Sequence, residues 1–279
     1  MKGKVCMITG SNSGIGKATA IGLAQMGATV VMVCRDRKRA ETASAEVKAK
    51  SGNESVSLML TDLSSQKSIH QLAKDFSDSY HHLDVLINNA GVFLTRRSMT
   101  VDGIETTFAT NHLGPFLLTN LLLDMLKASS PARIVNVSSS AHTRAKVNFD
   151  DLQGERHYNG FQAYSQSKLC NILFTYALAK RLSGTGVTVN CFHPGVVRTN
   201  LGSGSPGLIP FIFGVMKPFI LSPEQGAQTC VYLASSPEVE NISGKYFIKK
   251  VESRSSDDSY NQDSAEKLQQ ISTQLTGLA

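Results

Sequence analysis

The chain has 279 residues, 41% of them hydrophobic and 18% charged, with a net charge of +6. That length and apolar content supply a sizeable core and exclude wholesale disorder. The basic residues are dispersed, apart from a modest cluster at Arg35, Arg37, Lys38 and Arg39, so no nucleic acid is expected as a partner.

The cysteines Cys6, Cys34, Cys170, Cys191 and Cys230 are far apart and show no metal-ligand spacing. Cys6, Cys34 and Cys191 stand in apolar strand-like runs, where Cys behaves as a small hydrophobe. The expectation is a reducing, cytoplasmic compartment, with no structural disulfide and no metal site. Met1 leads almost directly into a strand, so neither a signal peptide nor a bilayer-spanning run is expected.

Lys4 to Thr9 reads as a short strand. Gly10-Ser11-Asn12-Ser13-Gly14-Ile15-Gly16 follows, then a helical pattern to Met26 with a stop at Gly27, then an apolar run from Thr29 to Cys34. Strand, glycine-rich turn, helix, strand is the context of a dinucleotide-binding turn. The glycines let the backbone turn sharply and approach a diphosphate. A helix starting near Gly14 aims its unpaired N–H groups at that anion. Taken alone, the glycine triplet is equally a tight turn.

The second strand closes with Val33-Cys34-Arg35-Asp36-Arg37-Lys38. NAD sites place an acid at this strand end to hold the ribose 2′-hydroxyl. Here Cys34 stands about where the acid would be, and Arg35 follows it. A guanidinium there forms charge-assisted bonds to a 2′-phosphate, with Arg37 and Lys38 reinforcing the field. A basic helix start is unfavourable unless an anion compensates it. NADP(H) is therefore predicted over NAD(H), with Asp36 as the competing partner for a hydroxyl.

Alternation continues. Arg37 to Lys50 reads helical, Ser55 to Leu60 as a strand with Asp62-Leu63 just past it, and Ser65 to Tyr80 as a helix capped by Ser64 or Ser65. Leu83 to Asn88 is a fourth strand, ending in Asn88-Asn89-Ala90-Gly91, small residues that suit close approach to a flat ligand. Thr100 to Lys127 reads as one long helix with Asn111 in its middle, bent by Pro115. Arg133 to Val137 is a fifth strand ending in Ser138-Ser139-Ser140, and residues 141–160 are polar and irregular.

Phe161 to Leu182 reads as a helix carrying Tyr164 and Lys168, whose spacing of four puts a phenol and an ammonium on one face. By itself such a pair usually just decorates a solvated surface. Val187 to Phe192 is a sixth strand, ending at His193-Pro194-Gly195. Residues 201–221 are apolar and broken by Gly and Pro; they read as a lid over an apolar substrate. A packed loop and a peripheral membrane contact through 207–221 are the other readings. Ser222 to Ser235 is helical, Gly244 to Ile248 is the last strand, and a final amphipathic helix lies between Asp257 and Leu278. Every ligand-like feature before residue 200 sits at the carboxyl end of a strand, where open doubly wound sheets bind ligands. The expected architecture is α/β: a three-layer doubly wound Rossmann fold with a mainly parallel sheet of about seven strands, one domain over 1–279 with a lid at about 200–222.

These motifs in this order resemble the classical short-chain dehydrogenases/reductases, from Lys4 to about Phe247. The matching residues are Thr9-Gly10, Gly14, Gly16, Asp62-Leu63, Asn88-Asn89-Ala90-Gly91, Asn111, Ser139, Tyr164, Lys168 and Pro194-Gly195. Arg35, the run Asn148 to Leu152, Ser167-Lys168-Leu169 with Asn171, and His193 to Thr199 look like the retinol dehydrogenase branch, whose members use NADPH to reduce retinal and other lipid aldehydes. Many of them carry an N-terminal membrane anchor, for which this sequence shows no counterpart.

The resemblance implies cofactor contacts from Gly10, Ser11, Asn12, Ser13, Gly14, Ile15, Gly16, Arg35, Lys38, Asp62, Leu63, Asn89, Ala90, Gly91, Tyr164, Lys168, Pro194, Gly195, Val197 and Thr199. It implies Asn111, Ser139, Tyr164 and Lys168 as the catalytic set, with Ser138 as runner-up for the serine. It also implies a homodimer or homotetramer built through the helices at 100–127 and 161–182.

The chemistry expected of this set is carbonyl reduction, reversible as alcohol oxidation. Free Tyr has a pKa of about 10. The Lys168 ammonium is expected to favour the phenolate and lower that value, so that Tyr164 exchanges a proton with the substrate oxygen while Ser139 holds it. In the family Lys168 also contacts the nicotinamide ribose, and Asn111 helps place Lys168 through a water. The substrate class is an apolar carbonyl or alcohol, retinal-like or a lipid aldehyde. The alternatives are a reductase of steroid or quinone-type carbonyls and a non-catalytic NADP(H)-binding sensor or scaffold.

Overall fold

The computed structural model describes residues 1–197 and 221–278. Eight strands among them form one sheet in the order β3-β2-β1-β4-β5-β6-β7-β8. In chain order the first half is β1 (Val5–Thr9), α1 (Gly14–Gln25), β2 (Thr29–Cys34), α2 (Arg37–Ser51), β3 (Val56–Leu60), α3 (Gln66–Ser79) and β4 (Val85–Asn88). All pairings are parallel except β7 with β8. The strand order reverses between β1 and β4, so their carboxyl ends open a crevice where ligands bind in such sheets.

Apolar residues on both faces explain why the strands read as continuous runs. Val5 and Met7 of β1 and Val31 and Val33 of β2 pack on one side with Ile69, Leu72 and Phe76 of α3. Cys6 and Ile8, with Val30, Met32 and Cys34, pack on the other side with Leu23 of α1 and Val47 of α2. The alternation is the two-residue period of a strand. Ile69, Leu72, Ala73 and Phe76 recur at helical spacing and form the buried stripe of α3. Burying a side chain such as Phe76, which is fully enclosed, contributes about 2–3 kcal/mol. All five cysteines are buried and free.

The stretch expected as one helix over 100–127 is different. It starts at Thr106 and runs as α4 (Thr106–Phe108), a π-turn (Ala109–Leu113), α5 (Gly114–Leu121) and α6 (Leu123–Ala128). In the π-turn Gly114 donates to the carbonyl of Ala109, five residues back. The interruption puts Pro115 in the first turn of α5, where its missing N–H costs nothing. The hydrophobic period alone does not register one inserted residue. Residues 100–103 form a turn closed by Gly103 N–H on the Thr100 carbonyl.

Beyond them lie β5 (Ala132–Val137), α7 (Gly160–Arg181), β6 (Val187–His193), α8 (Pro223–Ser235), β7 (Lys245–Ile248), β8 (Val251–Ser253) and α9 (Gln262–Thr276). Ser222 and Gln225 form a capping box on α8. The eighth strand was not expected. It pairs back on β7 through a two-residue turn, Lys249-Lys250, with φ of +50° and +67°. That turn type prefers Asn-Gly because both residues are left-handed. Lys249→Asn with Lys250→Gly is therefore expected to stabilise the protein by about 1 kcal/mol. The urea midpoint measures it, and an unchanged or lower midpoint would show the turn unstrained.

Candidate functional site

The crevice at the carboxyl ends of β1 and β4 begins with the glycine-rich turn. Gly10 has φ +67°, and a Cβ there would lie 2.8 Å from the Ala90 Cα. A Cβ on Gly16 would lie 2.5 Å from both the Gly10 carbonyl oxygen and Asn89 Nδ2. The two glycines thus let α1 close onto the end of β4. Asn89 fastens that approach: its Nδ2 donates to the carbonyls of Thr9 (2.8 Å) and Gly10 (3.2 Å). The Asn89 and Ala90 N–H groups both donate to Thr9 Oγ1.

Ser13 is the N-cap of α1, in extended conformation, and its side chain makes no capping bond. The first-turn N–H groups of Gly14, Ile15 and Gly16 therefore have no side-chain cap, as an anion site requires. Ser11 is fully buried and its Oγ lies 3.5 Å from Cys34 Sγ. Asn12 is half-buried beside it.

Past β2 the competing partner is taken. Asp36 accepts from the Arg39 N–H at 2.8 Å as the N-cap of α2. Arg37 pairs with Glu41. Arg35 and Lys38 are exposed, and among the described residues neither has an ion-pair partner. Past β3, Asp62 Oδ1 accepts from the N–H and hydroxyl of Ser64, and Leu63 is buried beneath. Pro194 and Gly195 follow β6. Val197 packs on Ile15 and Ala18 of α1, and its segment bridges to Leu221. Thr199 and nearly all of the proposed lid lie outside the described residues.

The candidate proton-transfer group forms the other wall. Asn111 sits in the π-turn, fully buried. Its Oδ1 accepts from Val92 N–H (2.7 Å) and its Nδ2 donates to Val92 carbonyl and to Ser167 Oγ. Such turns are frequent at functional sites. A Cβ on Gly91 would be 3.4 Å from both Asn111 Oδ1 and Lys168 Nζ, so both side chains border the end of β4. Lys168 is 3% exposed, donates to the Val137 carbonyl at 3.2 Å, and its Nζ lies 5.5 Å from the centre of the Tyr164 ring. Phe93 packs edge-on against that ring at 5.6 Å.

Ser138 is not free to hold a substrate: its Oγ donates to the Lys168 carbonyl in the interior. Ser139 Oγ accepts from Ala141 N–H at 3.2 Å and faces the Tyr164 phenol closely enough to favour its ionised form. The expected electrostatics differ, however. Burial pushes the Tyr164 phenol up, and the Ser139 hydrogen bond offsets only part of this. Burial also pulls Lys168 down, to about 8. Desolvation sets the direction at both groups.

Two histidines next to Ser139 have no counterpart in the expected set. His142 Nδ1 lies 2.6 Å from the Ser139 carbonyl and His193 Nδ1 accepts from the Ser140 N–H. Burial lowers both, His193 to about 4. Their sequence surroundings carry no spacing signal for this contact. Among the described residues no group of His, Cys, Asp and Glu could hold a metal, and no helix is long and apolar enough to cross a membrane.

Comparison with known proteins places this geometry. The profile of the short chain dehydrogenase family matches residues 4–206. Retinol dehydrogenase 14 of Homo sapiens is 46% identical over 294 aligned positions, covering 100% of this chain and 88% of that protein. Retinol dehydrogenase 12 of Bos taurus is 47% identical, covering 99% and 87%. Among solved structures, an uncharacterized protein from Mycobacterium paratuberculosis superposes with a TM-score of 0.80 at 34% identity, covering 99% of this chain and 94% of that one. The Pseudomonas aeruginosa RhlG/NADP active-site complex superposes with 0.72 at 25% identity, covering 88% and 94%.

Proposed function

Because the chain belongs to the short chain dehydrogenase family, within its retinol dehydrogenase branch, we propose that it is an NADP(H)-dependent oxidoreductase of apolar carbonyls and alcohols. The observation that carries this reading is the meeting of Ser139, Tyr164, Lys168 and Asn111 beside the glycine-rich turn. Its retinol dehydrogenase relatives point to a retinol/retinal-type substrate, and a lipid aldehyde has the same chemistry.

The residues present fit a dinucleotide. Gly10 and Gly16 allow a backbone approach that a Cβ would block, which brings the turn against the end of β4, and the first turn of α1 has no side-chain cap. Arg35, with Lys38 beside it, meets a 2′-phosphate, while Asp36 is committed to capping. Asp62, Leu63, Asn89, Ala90 and Gly91 border the crevice, with Pro194, Gly195 and Val197 after β6; Thr199 completes the proposed set outside the described residues. When bound, the nicotinamide supplies or accepts the hydride.

The protein's own groups handle the oxygen. Tyr164 Oη donates its proton to the carbonyl oxygen in reduction and removes it from the alcohol in oxidation. Ser139 Oγ holds that oxygen in place. Lys168 puts a cation behind the phenol, and Asn111 fixes the backbone at Val92 against the π-turn. Residues 200–222 would close over the apolar part of the substrate, with peripheral membrane contact through 207–221. Assembly into a dimer or tetramer would use α4 to α7.

Consumption of NADPH against a panel of retinal, medium-chain aldehydes, steroid ketones and quinones tests this function. Turnover of an apolar aldehyde is expected, and NADPH binding without any turnover would sink it. For the cofactor, Arg35→Ala is expected to weaken NADPH about 30-fold while NADH changes little, since one charge-assisted contact is worth about 2 kcal/mol. Equal loss of both nucleotides would remove the 2′-phosphate assignment.

A further inference from the structure

The C-terminal segment after residue 250 lies beyond the family match at residues 4–206. It nevertheless reaches the neighbourhood of two candidate catalytic residues, each time through a buried histidine. His142 stands three residues after Ser139 and is 1% exposed. Its Nε2 accepts from the Ser256 N–H at 3.1 Å. With that nitrogen accepting, Nδ1 carries the proton and donates to the Ser139 carbonyl at 2.6 Å.

The Ser256 N–H is held in position by its own loop. Tyr176 of α7 bonds Ser255 Oγ, Ser255 Oγ bonds Ser259 Oγ, and Ser259 Oγ donates to the Ser256 carbonyl. Tyr246 packs edge-on against the His142 ring at 5.2 Å.

The second contact has the same form. His112 follows Asn111 in the π-turn and is fully buried. Its Nε2 lies 2.9 Å from Ser272 Oγ on α9. With Ser272 donating, His112 Nδ1 carries the proton. That nitrogen has no hydrogen-bond partner among the described residues. His112 therefore ties Ser272 of α9 to the π-turn at the position next to Asn111.

We propose that the C-terminal segment is a brace for catalysis, with His142 and His112 as positioning residues through which Ser256 sets Ser139 and Ser272 sets Asn111. This rests on the catalytic reading of Ser139 and Asn111 given above. A neutral ring with one donor and one acceptor suits such a link, because it joins two fixed groups and adds no charge beside the phenol. Ser256 and Ser272 each bond a histidine, so the effect they transmit is on geometry.

The test uses the full chain, NADPH and whichever carbonyl of the panel turns over fastest. Ser272→Ala and His142→Gln are each expected to lower kcat about tenfold, while KM and the NADPH Kd stay within about twofold, since small misplacements of reacting groups act on the chemical step. Ser272→Ala added to His112→Gln is expected to cost nothing further, because Ser272 acts through that ring. The thermal midpoint reports folding separately.

Unchanged kcat in both single variants overturns the brace, as does a loss that tracks the folded fraction or moves KM and Kd together. Tyr164→Phe is run alongside. If it keeps activity, or if the parent turns over no carbonyl, the catalytic reading itself fails. If Tyr164→Phe is dead while Ser272→Ala and His142→Gln are unimpaired, only the brace fails.

Discussion

Tyr164→Phe is expected to lower kcat about 10³-fold while leaving NADPH affinity within about threefold, because a positioned general acid contributes about 10²–10⁴. The substitution removes one oxygen and keeps the ring. Phe93 still packs edge-on at 5.6 Å and Lys168 still lies over the ring face. The Ser139 hydroxyl keeps Ala141 N–H. Stability should therefore change little, and a fall in kcat reads as lost proton transfer.

The direction of the Tyr164 shift adds a second readout. Burial holds the phenol above its usual value, so near neutrality it carries its proton. Reduction consumes that proton and is expected to be flat with pH there. Oxidation needs the phenolate, whose fraction rises about tenfold per pH unit below the pKa, so its rate is expected to climb toward alkaline pH. Pre-steady-state rates in both directions check this. Retained turnover in Tyr164→Phe, or an oxidation rate that falls as pH rises, would remove Tyr164 from its role.

Local signals made the order of strands and the ligand edge legible. The glycine turn lies between β1 and α1, and Asn88-Asn89-Ala90-Gly91 ends β4, because short-range chemistry at strand ends leaves short-range patterns. Long-range choices left none. Ser138 and Ser139 are the same residue type side by side, and only the Lys168 carbonyl beside Ser138 separates them. The π-turn at Ala109–Leu113 adds one residue to a helix whose hydrophobic period hardly changes. Strand β8 has three residues and a Lys-Lys turn, so neither length nor turn chemistry announced it.

The sign of the Tyr164 shift depends on how much low-dielectric protein encloses it, which spacing along a helix does not encode. His112 and His142 were invisible for a related reason. Their partners stand 160 and 114 residues further on, in a segment that reads simply as an amphipathic tail.

Gly16→Ala tests the nucleotide end of the crevice, and its expected cost is at least about 100-fold in NADPH affinity, or about 2.7 kcal/mol. The added methyl would sit 2.5 Å from two atoms at once, the Gly10 carbonyl oxygen and Asn89 Nδ2. The first belongs to the glycine-rich turn and the second to the end of β4, where Asn89 Nδ2 is the donor that ties Thr9 and Gly10 in place. To admit the methyl, α1 must back away or the turn must open, and either movement withdraws its first-turn N–H groups from the anion. Overpacking of this kind also costs about 1–3 kcal/mol of stability.

Asn89→Ala in the same chain relieves one of the two clashes and leaves the backbone one, so it should not restore binding. Gly52→Ala is the matched control. It caps α2 at φ +66° with nothing within 4 Å of its Cβ position, so it carries only the left-handed backbone penalty of about 1 kcal/mol. Fluorescence titration with NADPH should leave Gly52→Ala at the parent affinity and Gly16→Ala far from it. Parent-like binding by Gly16→Ala would mean that the turn does not hold the diphosphate.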